Sequence, residues 1–233
     1  MPRRPTNHRP DLNGLLVIDK PLGVTSFSVC RSVRRLTRGA KVGHAGALDP
    51  LATGVLVLAL GRATKAIDQL MATNKRYLAD LDLAAFSTTD DGEGEFSPVA
   101  VKPPPSQDAI ERAIVSFVGT IDQQPPIFSA VHIDGERAHK LARKGKLVDR
   151  PPSRPVMIHS IDIVKYAWPA LTLDICCGKG TYIRSLARDL GERLQTGGML
   201  TALRRTAVGP YSIDDAIALD DLPDDMDAVL KPI

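Results

Sequence analysis

Residues 43–54, with the sequence GHAGALDPLATG, surround one carboxylate, Asp49, with three glycines, a histidine and a proline. Glycine permits backbone dihedrals that are closed to other residues, while Pro50 fixes its own φ and favours an extended conformation at Asp49. The apolar run 55–60 follows directly and predicts a buried strand. A loop constrained in this way can present one carboxylate as a nucleophile or a base. The alternative is a tight turn in which Asp49 only caps local N–H groups.

Two groups of basic residues could bind a polyanion. A helix predicted from an N-cap at Ser26 to about Leu36 carries arginines at the spacing i, i+3, i+4 and i+7, at positions 31, 34, 35 and 38. Arginines without acidic partners suit phosphates, although this face could also be a solvated one. Residues 123–154 contain Pro-Pro, an Asp-Gly turn and a basic segment with five Lys or Arg residues between positions 137 and 146. They predict a protruding basic hairpin and helix that binds RNA, or else an ordinary surface excursion.

The charge of the chain is unevenly distributed. Residues 214–233 contain seven aspartates and one lysine, so with a total of +3 the rest of the chain carries +9. A basic body of this kind favours a polyanionic partner.

The composition predicts a globular protein that is neither secreted nor embedded in a membrane. The chain has 233 residues, 43% of them hydrophobic and 24% charged, and no apolar run long enough to span a bilayer. No signal-peptide pattern follows the basic N-terminus, so we expect a cytoplasmic protein. The three cysteines form no Cys-x-x-Cys pair and the histidines no cluster, so no metal site is expected.

Predicted strands and helices are interspersed along the chain, and they must hold the Asp49 loop in place. Strands are predicted at 15–18, 55–59 and 77–86 and as a hairpin at 156–166 and 171–177. Helices are predicted at 26–36, from Ser106 to about Val118, and after Gly180. This order predicts an α+β fold with a mixed, largely antiparallel sheet flanked by helices.

Six segments together resemble the TruB family of tRNA pseudouridine synthases, and they occur in the family's order. They include GLLVIDKPLGVTS, the Asp49 loop, PPIFSAV and KGTYIRSLA, and in full they are residues 14–26, 43–54, 75–77, 125–131, 179–187 and 203–205. Several ordered motifs are far more specific than one pattern match. The resemblance implies the pseudouridine synthase fold and conversion of uridine to pseudouridine at position 55, in the T loop of tRNA, without cofactor or metal.

The resemblance also implies roles for individual residues. Asp49 matches the catalytic aspartate, Tyr77 the tyrosine that lies against the target base, and Arg184 the arginine that pairs with the aspartate. The other matches are substrate-binding positions: Lys20 in the N-terminal motif, His44 near the flipped nucleotide, and the pocket residues Tyr182 and Leu203. A nearby arginine would keep a buried Asp49 ionised. An ordinary buried ion pair and core tyrosines are the competing interpretations.

The chain departs from the family's pattern at three positions and at its C-terminus. Ala45 stands where Thr or Gly is usual, Phe27 where His is frequent, and His139 where Tyr is common. None of these is an expected catalytic position. We expect a disordered basic arm at 1–13, a catalytic domain at 14–213 with an RNA-binding insertion at about 123–154, and an acidic stub at 214–233 where relatives continue into a PUA-type domain.

Four functions can be compared on these residues. A tRNA-modifying enzyme, expected to be a monomer, needs Asp49, Tyr77 and Arg184, whereas an RNA-binding or tRNA-folding protein does not. A guide-RNA-dependent synthase of the same superfamily relies on a C-terminal domain and protein partners, so no guide RNA is expected. A glycosidase typically uses two carboxylates, and the loop offers one. The sequence leaves open whether Asp49 attacks C1′, attacks C6 or removes the 2′ proton.

Overall fold

The computed structural model describes residues 12–133, 135–146, 149–223 and 225–233. Its strands, in chain order, are β1 (Gly14–Lys20), β2 (Val42–His44), β3 (Ala52–Leu60), β4 (Lys75–Asp82), β5 (Ala85–Ser87), β6 (Phe96–Pro98), β7 (Gly119–Gln123), β8 (His132–Ile133), β9 (Glu136–Arg137), β10 (Arg154–Ala167), β11 (Ala170–Cys177), β12 (Met199–Val208), β13 (Tyr211–Ser212) and β14 (Ile217–Ala218). Its α-helices are α1 (Ser26–Leu36), α2 (Ile67–Ala72), α3 (Gln107–Val115), α4 (Ala138–Arg143) and α5 (Ile183–Leu194). The α+β prediction is confirmed.

The chain divides into two compact units. Unit 1 comprises residues 1–76 and 204–233, and unit 2 comprises residues 77–203. Most of the predicted basic arm, residues 1–11, lies outside the described residues.

The core of unit 1 forms on both faces of β1 and β3. These strands are antiparallel, with Leu16 opposite Leu58 and Ile18 opposite Leu56. Because side chains alternate along a strand, these four leucine and isoleucine residues share one face, where they pack in a cluster with helix α1. The valines between them form a second cluster on the other face. Burial on both faces explains why β3 is a continuous apolar run in the sequence.

The acidic C-terminal segment is packed into unit 1. Strand β14 pairs in parallel with β1, which makes the sheet mixed, and Lys231 exchanges two backbone hydrogen bonds with Leu15, each 2.8 Å long. Met226 is buried in the same cluster as the residues of α1. The segment expected as a stub therefore contributes apolar side chains to the core.

Unit 2 contains a sheet in which β10 is antiparallel to both β11 and β7. Its strand order is β12-β4-β11-β10-β7, and β10 and β11 form the predicted hairpin. Helix α3 contacts both α5 and β10. Buried side chains of these elements supply the core: Ile110, Ile114, Ile158, Leu173, Ile175, Leu186 and Leu190.

Two local details differ from the predictions. The N-cap of α1 is Thr25, whose side chain accepts a hydrogen bond from the Ser28 N–H, so the prediction of Ser26 as the cap is wrong. The Ser26 hydroxyl binds the backbone of Leu48 instead. Helix α1 ends at Leu36, and Arg38 follows with φ of +53°, so the last arginine of the predicted stripe lies beyond the helix.

The predicted basic hairpin and helix occur in unit 2 as β8, β9 and α4. Ile133 pairs with Glu136 across the turn, where Gly135 has φ of +85°. In the described part of the chain, no helix combines the length and apolar character needed to cross a membrane.

Candidate active site

Hydrogen bonds to other residues of unit 1 fix the loop between β2 and β3 before and after Asp49. Leu48 N–H donates to the Ser26 hydroxyl at 2.8 Å, and the hydroxyl donates to the Leu48 carbonyl at 3.1 Å. The Gly23 N–H donates to the carbonyl of Pro50 at 2.8 Å, and the Asp49 carbonyl accepts from the Ala52 N–H at 3.1 Å. Asp49, which is half-buried, thus lies in the middle of an anchored segment. This confirms the prediction of a constrained loop that leads into a buried strand.

A buried arginine forms hydrogen bonds to the backbone of the same loop and of the strand that follows it. Arg205, 1% exposed, donates to the Val55 carbonyl at 2.7 Å and to the Gly46 carbonyl at 3.1 Å. Gly46 has φ of +98°, which favours glycine. A Cβ on Gly54 would lie 2.2 Å from the Arg205 carbonyl oxygen, so only glycine permits this approach of the two strands. Gly46 and Gly54 are therefore required by backbone geometry.

Lys20 places a buried amino group close to this loop. The residue is fully buried, and its Nζ donates to the carbonyls of Pro21 at 2.9 Å and Val24 at 2.8 Å. Burial lowers the pKa of Lys20 from 10.5 to about 8, although the Asp49 carboxylate acts in the opposite direction. Asp49 and Lys20 are therefore close enough to interact electrostatically.

His44 is a half-buried imidazole at the end of β2. Its Nδ1 atom is buried without a hydrogen-bond partner among the described residues. Burial, and then the charge of Arg205, lower the pKa of His44, so the neutral ring is favoured at neutral pH. A neutral imidazole can both donate and accept a hydrogen bond.

In unit 2, Arg184 is buried in contact with a carboxylate. Its guanidinium lies 3.3 Å from Asp91 Oδ2, with the two side chains 7% and 2% exposed, and donates to the carbonyls of Thr89 and Phe128 at 3.2 and 3.1 Å. Asp49 belongs to unit 1, so the pairing of Arg184 with Asp49 stays a prediction.

A second buried ion pair lies one helical turn further along α5. Arg188 donates to Asp90 Oδ2 at 2.8 Å and to the Gln124 carbonyl at 2.9 Å, and Arg150 donates to the other oxygen of Asp90 at 3.1 Å. Asp90 has φ of +61°, a left-handed conformation that Asp tolerates better than most residues. These bonds connect α5, the loop 88–94 and the two ends of the basic insertion.

The predicted aromatic and apolar pocket residues are mostly buried in unit 2. Tyr77 on β4 and Leu203 on β12 are each 9% exposed. Tyr182, at the N-cap of α5, is half-buried, and the Arg154 guanidinium lies 5.1 Å from the centre of its ring. The Gln123 side chain accepts from the Tyr182 N–H at 2.8 Å and donates to the Tyr182 carbonyl at 3.1 Å. These contacts fix the backbone where α5 begins.

Sequence reasoning missed the carboxylates that hold the arginines of α5. Asp90 and Asp91 lie outside the strands and helices predicted from the sequence. One signal was available: Arg184 and Arg188 are four residues apart and adjoin the apolar face of α5, so both should be buried and need acidic partners. Arg205 was missed as well, since no strand was predicted at residues 199–208.

The described residues include no group of three or more His, Cys, Asp or Glu side chains arranged to hold a metal ion. Activity without metal or cofactor stays a prediction from the resemblance.

Comparison with known proteins places both parts of the chain in one family. The family model described as "TruB family pseudouridylate synthase (N terminal domain)" matches residues 34–183, and the one described as "tRNA pseudouridylate synthase B C-terminal domain" matches residues 184–232. The acidic segment 214–232 thus falls within the second match.

Named relatives match most of the chain. The "tRNA pseudouridine synthase B" of Corynebacterium diphtheriae is 49% identical over 220 residues, which cover 90% of this chain and 72% of the relative. The protein of the same name from Xanthomonas campestris is 45% identical and covers 91% of this chain and 68% of the relative.

Solved structures share the fold. One, titled "Crystal Structure of a Cbf5-Nop10-Gar1 Complex", matches with a TM-score of 0.70 and 28% identity over 94% of this chain. A second, an H/ACA RNP bound to a substrate RNA containing 2'-deoxyuridine, matches with a TM-score of 0.68 and 25% identity. The chain spans 56% and 55% of the matched chains, respectively. Given the two family matches and the identity of up to 49% to the relatives cited, the chain belongs to the TruB family of pseudouridylate synthases.

Proposed function

We propose that this protein isomerises uridine 55 in the T loop of tRNA to pseudouridine, with Asp49 as the essential carboxylate. The observation that carries the proposal is the anchored loop of unit 1. Hydrogen bonds to Ser26 and Gly23 fix the residues on either side of Asp49, and Lys20 is close enough to interact electrostatically with it. The two relatives cited above are named for pseudouridine formation in tRNA.

The reaction changes one bond between the base and the ribose. The N1–C1′ bond breaks, the uracil turns, and a C5–C1′ bond forms; C5 loses its proton and N1 gains one. Asp49 can attack C1′, attack C6 or remove the 2′ proton, and each route requires an ionised carboxylate near the sugar. The buried amino group of Lys20 is close enough to interact electrostatically with Asp49.

The target base must leave the folded T loop before Asp49 can reach its nucleotide. We assign His44 to the space that the flipped nucleotide vacates, since a half-buried neutral imidazole can stack and can form hydrogen bonds. Tyr77 is assigned to the face of the base, with Tyr182 and Leu203 completing the pocket. The small exposure of Tyr77 and Leu203 fits rigid walls.

Arg184 is proposed to pair with Asp49 as well as with Asp91. A guanidinium bears five donors and stays charged at all working pH values, so it can serve two carboxylates. Its contacts with Asp91, Thr89 and Phe128 would hold it in a fixed position. Asp91 therefore acts as a positioning residue in this scheme.

The protein is proposed to act on tRNA as a monomer, without a guide RNA, and in the cytoplasm, where tRNA is modified. The identity of 49% to a protein named for tRNA, against 28% to the Cbf5 complex, supports direct recognition of tRNA. A role limited to tRNA binding or folding is the second candidate, which the basic insertion alone would satisfy.

Substitution of Asp49 separates these two functions. Unmodified tRNA transcript is incubated with the full chain, and pseudouridine is mapped by chemical modification and primer extension. We expect wild type to modify position 55, in full tRNA and in an isolated T arm, and Asp49→Asn to lose activity while its tRNA affinity changes by no more than a few-fold. Appreciable turnover by Asp49→Asn would remove Asp49 from its role. A T arm that binds without being modified, while full tRNA is modified, would contradict recognition of the T arm alone.

A further inference from the structure

The outer face of helix α1 combines an exposed aromatic ring with arginines. Phe27 is 67% exposed, and Arg31 and Arg35 are exposed one and two turns further along the helix. Helix α1 contains no acidic residue, and neither arginine forms an ion pair with a carboxylate of the described ranges. Large exposed aromatic rings and unpaired guanidinium groups are the groups that stack on bases and bind phosphates.

This face is attached directly to the loop that carries Asp49. Ser26, next to Phe27, exchanges two hydrogen bonds with the backbone of Leu48, next to Asp49. The turn before α1 is also bonded to the loop through Gly23 and Pro50. Phe27 is thus the neighbour of a residue that anchors the Asp49 loop.

Helical geometry aligns the three side chains. At 3.6 residues per turn, Arg31 and Arg35 are offset from Phe27 by about 40° and 80° around the axis, and they lie about 6 Å apart along it. One strand of a duplex advances about 3.4 Å per phosphate, so this distance spans about two phosphates. Arg34 shares the face, but its guanidinium donates to the Val42 carbonyl at 3.3 Å.

We propose that the outer face of α1 is a second RNA-binding surface. Phe27 stacks on an unpaired base of the T loop beside the target nucleotide, while Arg31 and Arg35 bind phosphates of the adjoining T stem. The inference rests on the proposed function, because it takes tRNA as the substrate delivered to Asp49. Charge complementarity identifies the partner, since α1 offers cations without anions and tRNA is a polyanion.

The test measures tRNA affinity by fluorescence anisotropy at several salt concentrations with the full chain. The variants are Arg31→Gln with Arg35→Gln, Phe27→Ala, and Phe27→Tyr. The matched control is Arg112→Gln with Arg193→Gln, which removes the same charge from exposed positions on α3 and α5. Circular dichroism and the single-turnover rate at saturating enzyme show that each arginine variant is folded.

We expect the double α1 variant to reduce the slope of log K against log salt by about 1.8, because each duplex phosphate that is no longer neutralised lowers the slope by about 0.9. Phe27→Ala should weaken binding by about 5- to 150-fold without changing the slope, and Phe27→Tyr should restore affinity. The control should match wild type.

Three results distinguish failure of this inference from failure of the proposed function. If wild type forms pseudouridine but both α1 variants bind tRNA with wild-type affinity and slope, only the RNA-binding role of α1 is overturned. If the control loses as much slope as the α1 variant, the effect is one of net charge and the inference is again overturned. If wild type forms no pseudouridine in tRNA, the proposed function itself fails.

Discussion

Breaking the buried pair between Arg188 and Asp90 should destabilise unit 2 strongly. The two side chains are 3% and 4% exposed and form a 2.8 Å hydrogen bond. Removing one partner of such a pair leaves an uncompensated buried charge, at a cost of about 3–5 kcal/mol. We expect the lower end, about 3 kcal/mol, because Asp90 keeps Arg150 and Arg188 keeps Asp189.

The losses of stability caused by Arg188→Met and Asp90→Asn should not be additive. Once Arg188→Met has left Asp90 charged and only partly neutralised, Asp90→Asn removes that charge, so the second step costs little. The double variant should lose about 3–4 kcal/mol rather than the sum of about 6, which is a coupling of roughly 2–3 kcal/mol. Arg193→Met, an exposed arginine on the same helix, should cost no more than about 0.5 kcal/mol.

Urea unfolding followed by fluorescence measures these differences. Trp168 is the single tryptophan of the chain and is half-buried between β10 and β11, so its emission reports on unit 2. With a slope of about 2 kcal/mol per molar urea, a loss of 3 kcal/mol moves the midpoint by about 1.5 M. Additive losses, or a midpoint for Arg188→Met equal to that of Arg193→Met, would refute the reasoning that the pair is a coupled element of the fold.

Three further predictions concern Lys20, Tyr77 and the insertion. Burial places the pKa of Lys20 at about 8 in the folded chain, below the unfolded value of 10.5. Between these pH values the free energy of unfolding of wild type should therefore rise by up to about 3 kcal/mol relative to that of Lys20→Met. Parallel pH profiles of unfolding free energy for the two proteins would contradict this. Tyr77→Phe should keep stacking and much of the RNA binding, whereas Tyr77→Ala should lose activity severely, since stacking contributes about 1–3 kcal/mol per base. The measurement is a single-turnover assay at a temperature where circular dichroism shows each variant folded, and a Tyr77→Ala rate equal to wild type would make Tyr77 a core residue only. Four basic residues of the insertion are neutralised together: Arg137, Lys140, Arg143 and Lys144. This should flatten the salt dependence of tRNA binding, and an unchanged slope would mean that these residues bind no phosphate.

Local patterns in the sequence were sufficient for the elements that carry the proposed site. The apolar run of β3, the hairpin of β10 and β11, and the apolar face of α5 follow from periodicity, which depends on neighbours in sequence. The glycines and proline around Asp49 predicted a constrained loop, because their effect on the backbone is intrinsic to the residues.

Only the tertiary structure decided which polar groups are buried together. Lys20 is the last residue of β1, a strand that was predicted from its apolar residues alone. Its burial depends on the carbonyls of Pro21 and Val24, which accept its hydrogen bonds, and on the sheet packed around it. Asp90 and Arg188 are 98 positions apart, and Arg205 is 159 positions from Gly46. A pairing over such separations is set by the path of the whole chain, which no window of the sequence contains. The sequence by itself thus identified the candidate catalytic carboxylate, while the fold decided which charged side chains are buried together within each unit.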